Sequence, residues 1–118
     1  MTDLEEVKTA VKALDSKKAG NIRVIRIGDI TILANYFVIA EGTSTTQVKA
    51  LADEVEFQMG ERGVQPKCSI NQQGTSWITL DYIDVVVHVF LNETREFYGL
   101  EKLWSDGEEI DAGQFLDE

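Results

Sequence analysis

The chain has 118 residues, 43% of them hydrophobic, enough to bury one core and too few for several domains. Eleven Lys and Arg against 21 Asp and Glu leave a net charge of −10, which disfavours direct, sequence-specific nucleic-acid binding and favours basic partners. No stretch approaches the ~20 apolar residues of a membrane helix, the acidic start Met1 to Glu6 is unlike a secretory signal, and a lone Cys68 allows no internal disulfide, so a cytoplasmic protein with no membrane contact is expected.

Thr2-Asp3-Leu4-Glu5 has the form of a capping box, and Leu4, Val7, Val11 and Leu14 recur at helical spacing. A first helix is predicted, ending near Lys17 to Ala19, where lysines suit the negative end of the helix dipole and Gly20-Asn21 permits a left-handed turn. Ile22, Val24 and Ile25 to Ile27 read as a strand, with Arg23 and Arg26 interspersed as in a strand with one wetter face, closed by Gly28-Asp29. Asn35-Tyr36-Phe37-Val38-Ile39-Ala40 is almost wholly apolar, the composition of a central strand buried on both faces. Glu41-Gly42-Thr43-Ser44 turns the chain, and Ser44 with Gln47 offers a second capping box. Val48, Leu51, Ala52, Val55 and Met59 then form the apolar stripe of a second helix that Gly60 and Gly63 end. Pro66 marks a turn before a short strand at Lys67 to Ile70, and Trp77 to Leu80 with Asp84 to Leu91 read as a hairpin joined by Asp81-Tyr82-Ile83. Glu93 to Phe97 and Leu100 to Trp104 read as two short helical pieces split near Gly99.

The order α, β, β, α, β, β, β, α, with one strand-turn-helix crossover and a terminal hairpin, predicts an α/β fold built on a mixed β-sheet flanked by helices. Asp106, Glu108, Glu109, Asp111, Asp117 and Glu118 place six carboxylates and no base in residues 106–118. Residues 1–105 are therefore read as the domain and 106–118 as an acidic, solvated tail.

Catalytic chemistry is poorly supplied. Asp81 and Asp84 are the carboxylate pair at a strand junction, but aspartates at a hairpin turn ordinarily accept local backbone hydrogen bonds. His88 has no Cys, Ser or second His at a fixed spacing; strict alternation puts Val86 and Phe90 on its face and Val85, Val87, Val89 and Leu91 on the other, so it reads as a structural histidine or the anchor of a binding surface. Gly42-Thr43-Ser44 could rest a phosphate on a helix N-terminus, yet it carries no P-loop pattern, and a capping turn explains it more economically. What these readings leave over is a set of large, partly polar side chains, Trp77, Tyr82, Tyr98 and Trp104, mixed with Asp81, Asp84, Arg95 and Glu101, the residue types that carry protein interfaces.

Three segments are distinctive as words: Trp77-Ile78-Thr79-Leu80-Asp81-Tyr82, Asp84-Val85-Val86-Val87-His88-Val89-Phe90, and Arg95-Glu96-Phe97-Tyr98-Gly99-Leu100-Glu101-Lys102-Leu103-Trp104. Together they resemble the W-x-x-x-D-Y-x-D-x-x-x-H-x-F and R-x-F-Y-x-L-E-x-L-W signature of the Iojap or ribosomal silencing factor family, and Asn35 through Ser44 with the following helix resembles that family's upstream block. The resemblance runs from about Leu4 to Asp106. It implies a nucleotidyltransferase-like fold without the catalytic acids, no enzymatic activity and no cofactor. It also implies docking on the fourteenth protein of the large ribosomal subunit, a basic protein on the subunit-joining face, so that the small subunit is sterically kept away and translation is repressed.

Carried over by position, the implied partner-binding surface is Trp77, Asp81, Asp84, His88, Arg95, Tyr98, Leu100, Glu101, Leu103 and Trp104. Tyr98 and a tryptophan would supply apolar contact and Asp81 and Glu101 would meet Lys or Arg, while Phe37, Val38, Val86 and Phe90 are expected in the core. A homodimer that covers the aromatic patch away from the ribosome is a further expectation. The chain departs from the family pattern at Asn35, where many members have Asp, at Gln47, where many have His, at Ile83, where Gly is common, and in the Gln72-Gln73-Gly74 loop. The alternative, a nucleotidyltransferase-like nucleotide-binding enzyme, would need metal-binding acids near Gly42-Thr43-Ser44 that the sequence lacks.

Overall fold

The alternating apolar residues of the strands become the two faces of a single sheet in the computed structural model, which describes residues 3–26, 35–72, 77–82, 84–92 and 108–110. The elements are α1 (Asp3–Ser16), β1 (Gly20–Arg26), β2 (Tyr36–Gly42), α2 (Thr45–Glu61), β3 (Cys68–Gln72), β4 (Trp77–Asp81), β5 (Val85–Leu91) and β6 (Glu108–Ile110). The six strands lie in the order β3-β4-β5-β2-β1-β6, with β2 and β5 parallel and the other neighbours antiparallel. This is the mixed α/β sheet that the pattern predicts.

The crossover skips two strand positions. β2 leads into α2, the chain re-enters the sheet at its far edge as β3, and β4 and β5 step back until β5 lies beside β2. β2 is central, as expected, with Val38, Ile39 and Ala40 fully buried and Phe37 7% exposed. The β4–β5 hairpin is not terminal: β6 follows it and pairs with β1, setting Ile110 opposite Val24. Part of the segment read as a solvated tail is thus a sheet edge, because Ile110 also packs on the helix-side core, an apolar contact that a count of carboxylates does not see. The helical pieces expected at 93–97 and 100–104 lie outside the described residues.

Both helices pack on one face. Val7, Val11 and Leu14 of α1 and Val48, Leu51, Val55 and Met59 of α2 join Val24, Val38, Leu80, Val85, Val87 and Val89 in one fully buried cluster. The alternation read along β5 holds, since Val85, Val87 and Val89 face the helices while Phe90 belongs to a second cluster with Ile25, Phe37 and Ile39 on the opposite face. Val86, expected in the core, is only half-buried at the edge of that second cluster.

The helix ends differ in detail from the expectation. After α1 the Ala19 N–H donates to the Leu14 carbonyl at 3.0 Å and the Lys18 N–H to the Asp15 carbonyl at 2.9 Å, and Lys18 takes φ 63. This paired closure with a left-handed residue at its centre is a Schellman motif, and Lys18 rather than Gly20 bears the left-handed conformation. Asn21, at φ 44, belongs instead to a bulge in β1 where the pairing with β2 shifts between Gly20 and Arg23. α2 ends by the same motif, Val64 N–H to Met59 carbonyl at 2.9 Å and Gly63 N–H to Gly60 carbonyl at 2.9 Å, with Gly63 at φ 79 in the position where a side chain is costly. Gly60 itself lies inside the helix.

At the start of α2, Ser44 Oγ accepts from the Gln47 N–H at 3.1 Å, as a capping box requires. Gln47 Oε1 reaches one residue further back than the motif expects, accepting from the Thr43 N–H at 2.7 Å and the Thr43 hydroxyl at 3.0 Å. Its Nε2 continues to the carbonyl of Lys18 at 3.2 Å, so one side chain ties the end of α1 to the start of α2. Gly42 leaves room beside it, since a Cβ there would stand 3.2 Å from the Val48 amide nitrogen, a tight contact.

Candidate functional site

The sheet face opposite the helices carries the candidate surface. Alternation along β4 puts Trp77, Thr79 and Asp81 on this face, and the antiparallel register sets Trp77 opposite Phe90, Thr79 opposite His88 and Asp81 opposite Val86. On the other side of β5, Ile39 of β2 lies beside His88. The result is an aromatic cluster. Trp77 stacks on Phe90 with centroids 4.9 Å apart and planes at 27°, and Phe37 meets the His88 ring edge-on at 4.9 Å and 72°. Offset stacks and edge contacts of this kind are the arrangements that aromatic quadrupoles favour.

His88 is bound into this cluster and is 6% exposed. Its ring is covered by Phe37, Trp77 and Phe90, whose ring centroids lie 4.9, 6.1 and 6.1 Å away. Expected on the contact surface, it lies beneath it. The Trp77 indole N–H donates to His88 Nδ1 at 3.2 Å, and the Thr79 hydroxyl stands 3.4 Å from the same nitrogen. An indole nitrogen can only donate, so Nδ1 is unprotonated and the neutral ring carries its hydrogen on Nε2. That Nε2 is buried and has no hydrogen-bond partner among the described residues. Burial holds the imidazole pKa down at about 4, because the apolar surroundings penalise the charged form.

Asp81 and Asp84 do not converge on a reacting atom. Asp81 ends β4, half-buried on the aromatic face about 13 Å along the strand from Trp77. Asp84 is exposed in the turn. Their backbones knit the hairpin to its surroundings: the Asp81 carbonyl accepts from the Lys67 N–H at 2.7 Å, and the Asp84 carbonyl accepts from the Asn35 and Tyr36 N–H groups at 2.8 and 3.1 Å. Among the described residues no group of three His, Cys, Asp or Glu side chains could hold a metal ion.

Tyr82, counted in the sequence with the surface aromatics, is 4% exposed and packs with the helix-side core. Burial first, and then the nearby Glu56 and Glu6 carboxylates, push its phenol pKa up. The Gly42-Thr43-Ser44 turn is a cap, with the Thr43 amide already donated to Gln47. A cavity of about 380 Å³ runs beside it along Thr45, Thr46, Lys49, Ala50 and Asp53, but the Lys49 ammonium is 3.4 Å from the Asp53 carboxylate, a poor seat for phosphate.

The structure therefore brings Trp77, Asp81 and His88 to one face and leaves Asp84 at its rim. Arg95, Tyr98, Leu100, Glu101, Leu103 and Trp104 lie outside the described residues. Sequence reasoning passed over Thr79 and the stacking role of Phe90, which emerge only with the hairpin register of the structure.

Comparison with known proteins gives a consistent picture. A family model described as "Ribosomal silencing factor during starvation" matches residues 1–118. The ribosomal silencing factor of Bacillus subtilis is 41% identical over 100 residues, covering 85% of each chain, and that of Halalkalibacterium halodurans is 36% identical over 111 residues, covering 94% of this chain and 95% of its own. A crystal structure of a Chromobacterium violaceum protein, 36% identical, superposes with a TM-score of 0.86 over 89% of this chain and 88% of that one.

Proposed function

The chain belongs to the ribosomal silencing factor family, and from that premise we propose that it binds the large ribosomal subunit through the subunit's fourteenth protein and sterically blocks association with the small subunit, repressing translation. The observation that carries this reading is the family match along residues 1–118, with the Trp77, Asp81, Asp84 and His88 words inside it. A net charge of −10 supports a basic partner, because it speeds encounter and penalises wrong, acidic ones. The contact surface on this reading is Trp77, Asp81 and Asp84 together with Arg95, Tyr98, Leu100, Glu101, Leu103 and Trp104. The protein acts in the cytoplasm by occupancy, with no turnover and no cofactor.

The test is sedimentation of purified large subunits with this protein through a sucrose gradient, before and after small subunits are added. The expected result is that wild type travels with large subunits and lowers the joined fraction, while a folded Tyr98→Ala, Glu101→Ala double variant does neither. A wild-type protein that stays at the top of the gradient and leaves joining unchanged sinks the proposal.

A further inference from the structure

Stacking on Phe90 sets the plane of the Trp77 ring, but an apolar stack is indifferent to which edge of the indole faces inward. A directed bond removes that ambiguity, and it comes from His88 Nδ1, 3.2 Å from the indole nitrogen. His88 is itself immobilised by Thr79 and Ile39 on either side and by the Phe37 edge. Its Nε2 is buried without a partner among the described residues, although leaving a buried donor unpaired is unfavourable and an apolar residue would fill the same space at no such cost. The other ring nitrogen, Nδ1, accepts from the Trp77 indole at 3.2 Å, closer than the Thr79 hydroxyl at 3.4 Å.

Resting on the functional reading above, we infer that His88 is a positioning residue and not a contact residue: it holds the half-buried Trp77 indole in one orientation as the preformed anchor of the docking face. An anchor already ordered spares association the cost of immobilising a large side chain, roughly 2- to 12-fold in affinity.

The experiment measures the affinity of full-length protein for purified large subunits, in parallel with ¹⁵N spectra of the tryptophan indole groups, in which a Trp77→Phe variant identifies the Trp77 signal. Asn at position 88 places its side-chain oxygen near the place of Nδ1, whereas Gln reaches toward Nε2. The expected outcome is that His88→Asn keeps the wild-type indole signal and affinity, that His88→Gln and His88→Leu shift the signal and weaken binding roughly 2- to 12-fold, and that adding His88→Leu to Trp77→Phe brings no further loss. Equal affinities for wild type and a folded His88→Leu protein, or losses that add in the double variant, overturn the inference. Where His88→Leu does not fold, the Asn and Gln contrast decides, and equal binding by those two overturns it. Failure of the wild type to bind large subunits overturns the functional reading and this inference together, so the two failures are told apart.

Discussion

Acidification interrogates the burial of His88 directly. In the unfolded chain its imidazole titrates at the ordinary 6.5, and in the fold at about 4, because burial disfavours the charged ring. Between those values the unfolded chain binds a proton that the folded chain refuses, so stability is undiminished above pH 6.5 and is drawn down as pH falls toward 4. The whole window is worth about 3 kcal/mol, and about 2 kcal/mol of it is gone by pH 5. Such a loss is a large share of the 5–15 kcal/mol that holds a typical domain together. Asp81 on β4, Glu41 on β2 and Arg23 on β1 share the face with His88, so the informative quantity is a difference between two proteins that both contain them. Urea unfolding of wild type and His88→Asn, followed by far-ultraviolet circular dichroism at pH 7, 6 and 5, supplies it. Wild type should lose about 2 kcal/mol more than the variant between pH 7 and 5. Parallel curves for the two proteins would refute the argument, since they would mean that the imidazole is not desolvated in the fold.

Other perturbations probe the framework that presents the site. Leu51→Ala opens a hole at a fully buried position of α2 and should cost about 2–5 kcal/mol in the same urea titration. Ser44→Ala removes the side chain that caps α2 and should cost about 1 kcal/mol, read as a lowered thermal midpoint. Lys18→Gly works in the opposite direction: it relieves a left-handed φ of 63 in a β-carbon-bearing residue and should raise stability by about 1 kcal/mol, and a drop in the denaturation midpoint would contradict the assignment of strain.

The helices and the inner strands were legible because their signals are local. Val48, Leu51, Val55 and Met59 repeat at the helical period, and Val85, Val87 and Val89 alternate with His88 at the strand period, so the direction of each side chain follows from its spacing alone. The strand order was not legible in this way. That β5 lies beside β2, and that β3 re-enters at the far edge, depends on pairings between residues distant in sequence, and the periodicity of each strand is the same whichever neighbour it takes. β6 shows a related limit. Three residues, two of them glutamates, carry too little pattern to announce a strand, and they become one because β1 offers an edge with Val24 opposite Ile110.

The site shows how far one boundary reaches. With Asp81-Tyr82-Ile83 taken as the hairpin loop, counting back from the turn sets Trp77 against Val87, a residue of the helix face. The structure turns later: the Tyr82 N–H donates to the Val85 carbonyl at 2.9 Å, which carries Trp77 to Phe90 and Thr79 to His88. The motif words therefore contained the residues of the aromatic cluster, while the identity of each contact depended on a displacement of the turn that composition does not determine. Gln47 makes the same point in a different place. As N3 of a capping box it was readable, yet its second bond, to the Lys18 carbonyl, exists because the packing of α1 on α2 brings that carbonyl within 3.2 Å. His88 and Gln47 are thus alike: both are polar residues whose partners are set by register or packing, and both act by fixing a neighbour. A side chain of this kind looks like a contact residue when only its position in a motif is known, and its burial is what separates holding the anchor from being it.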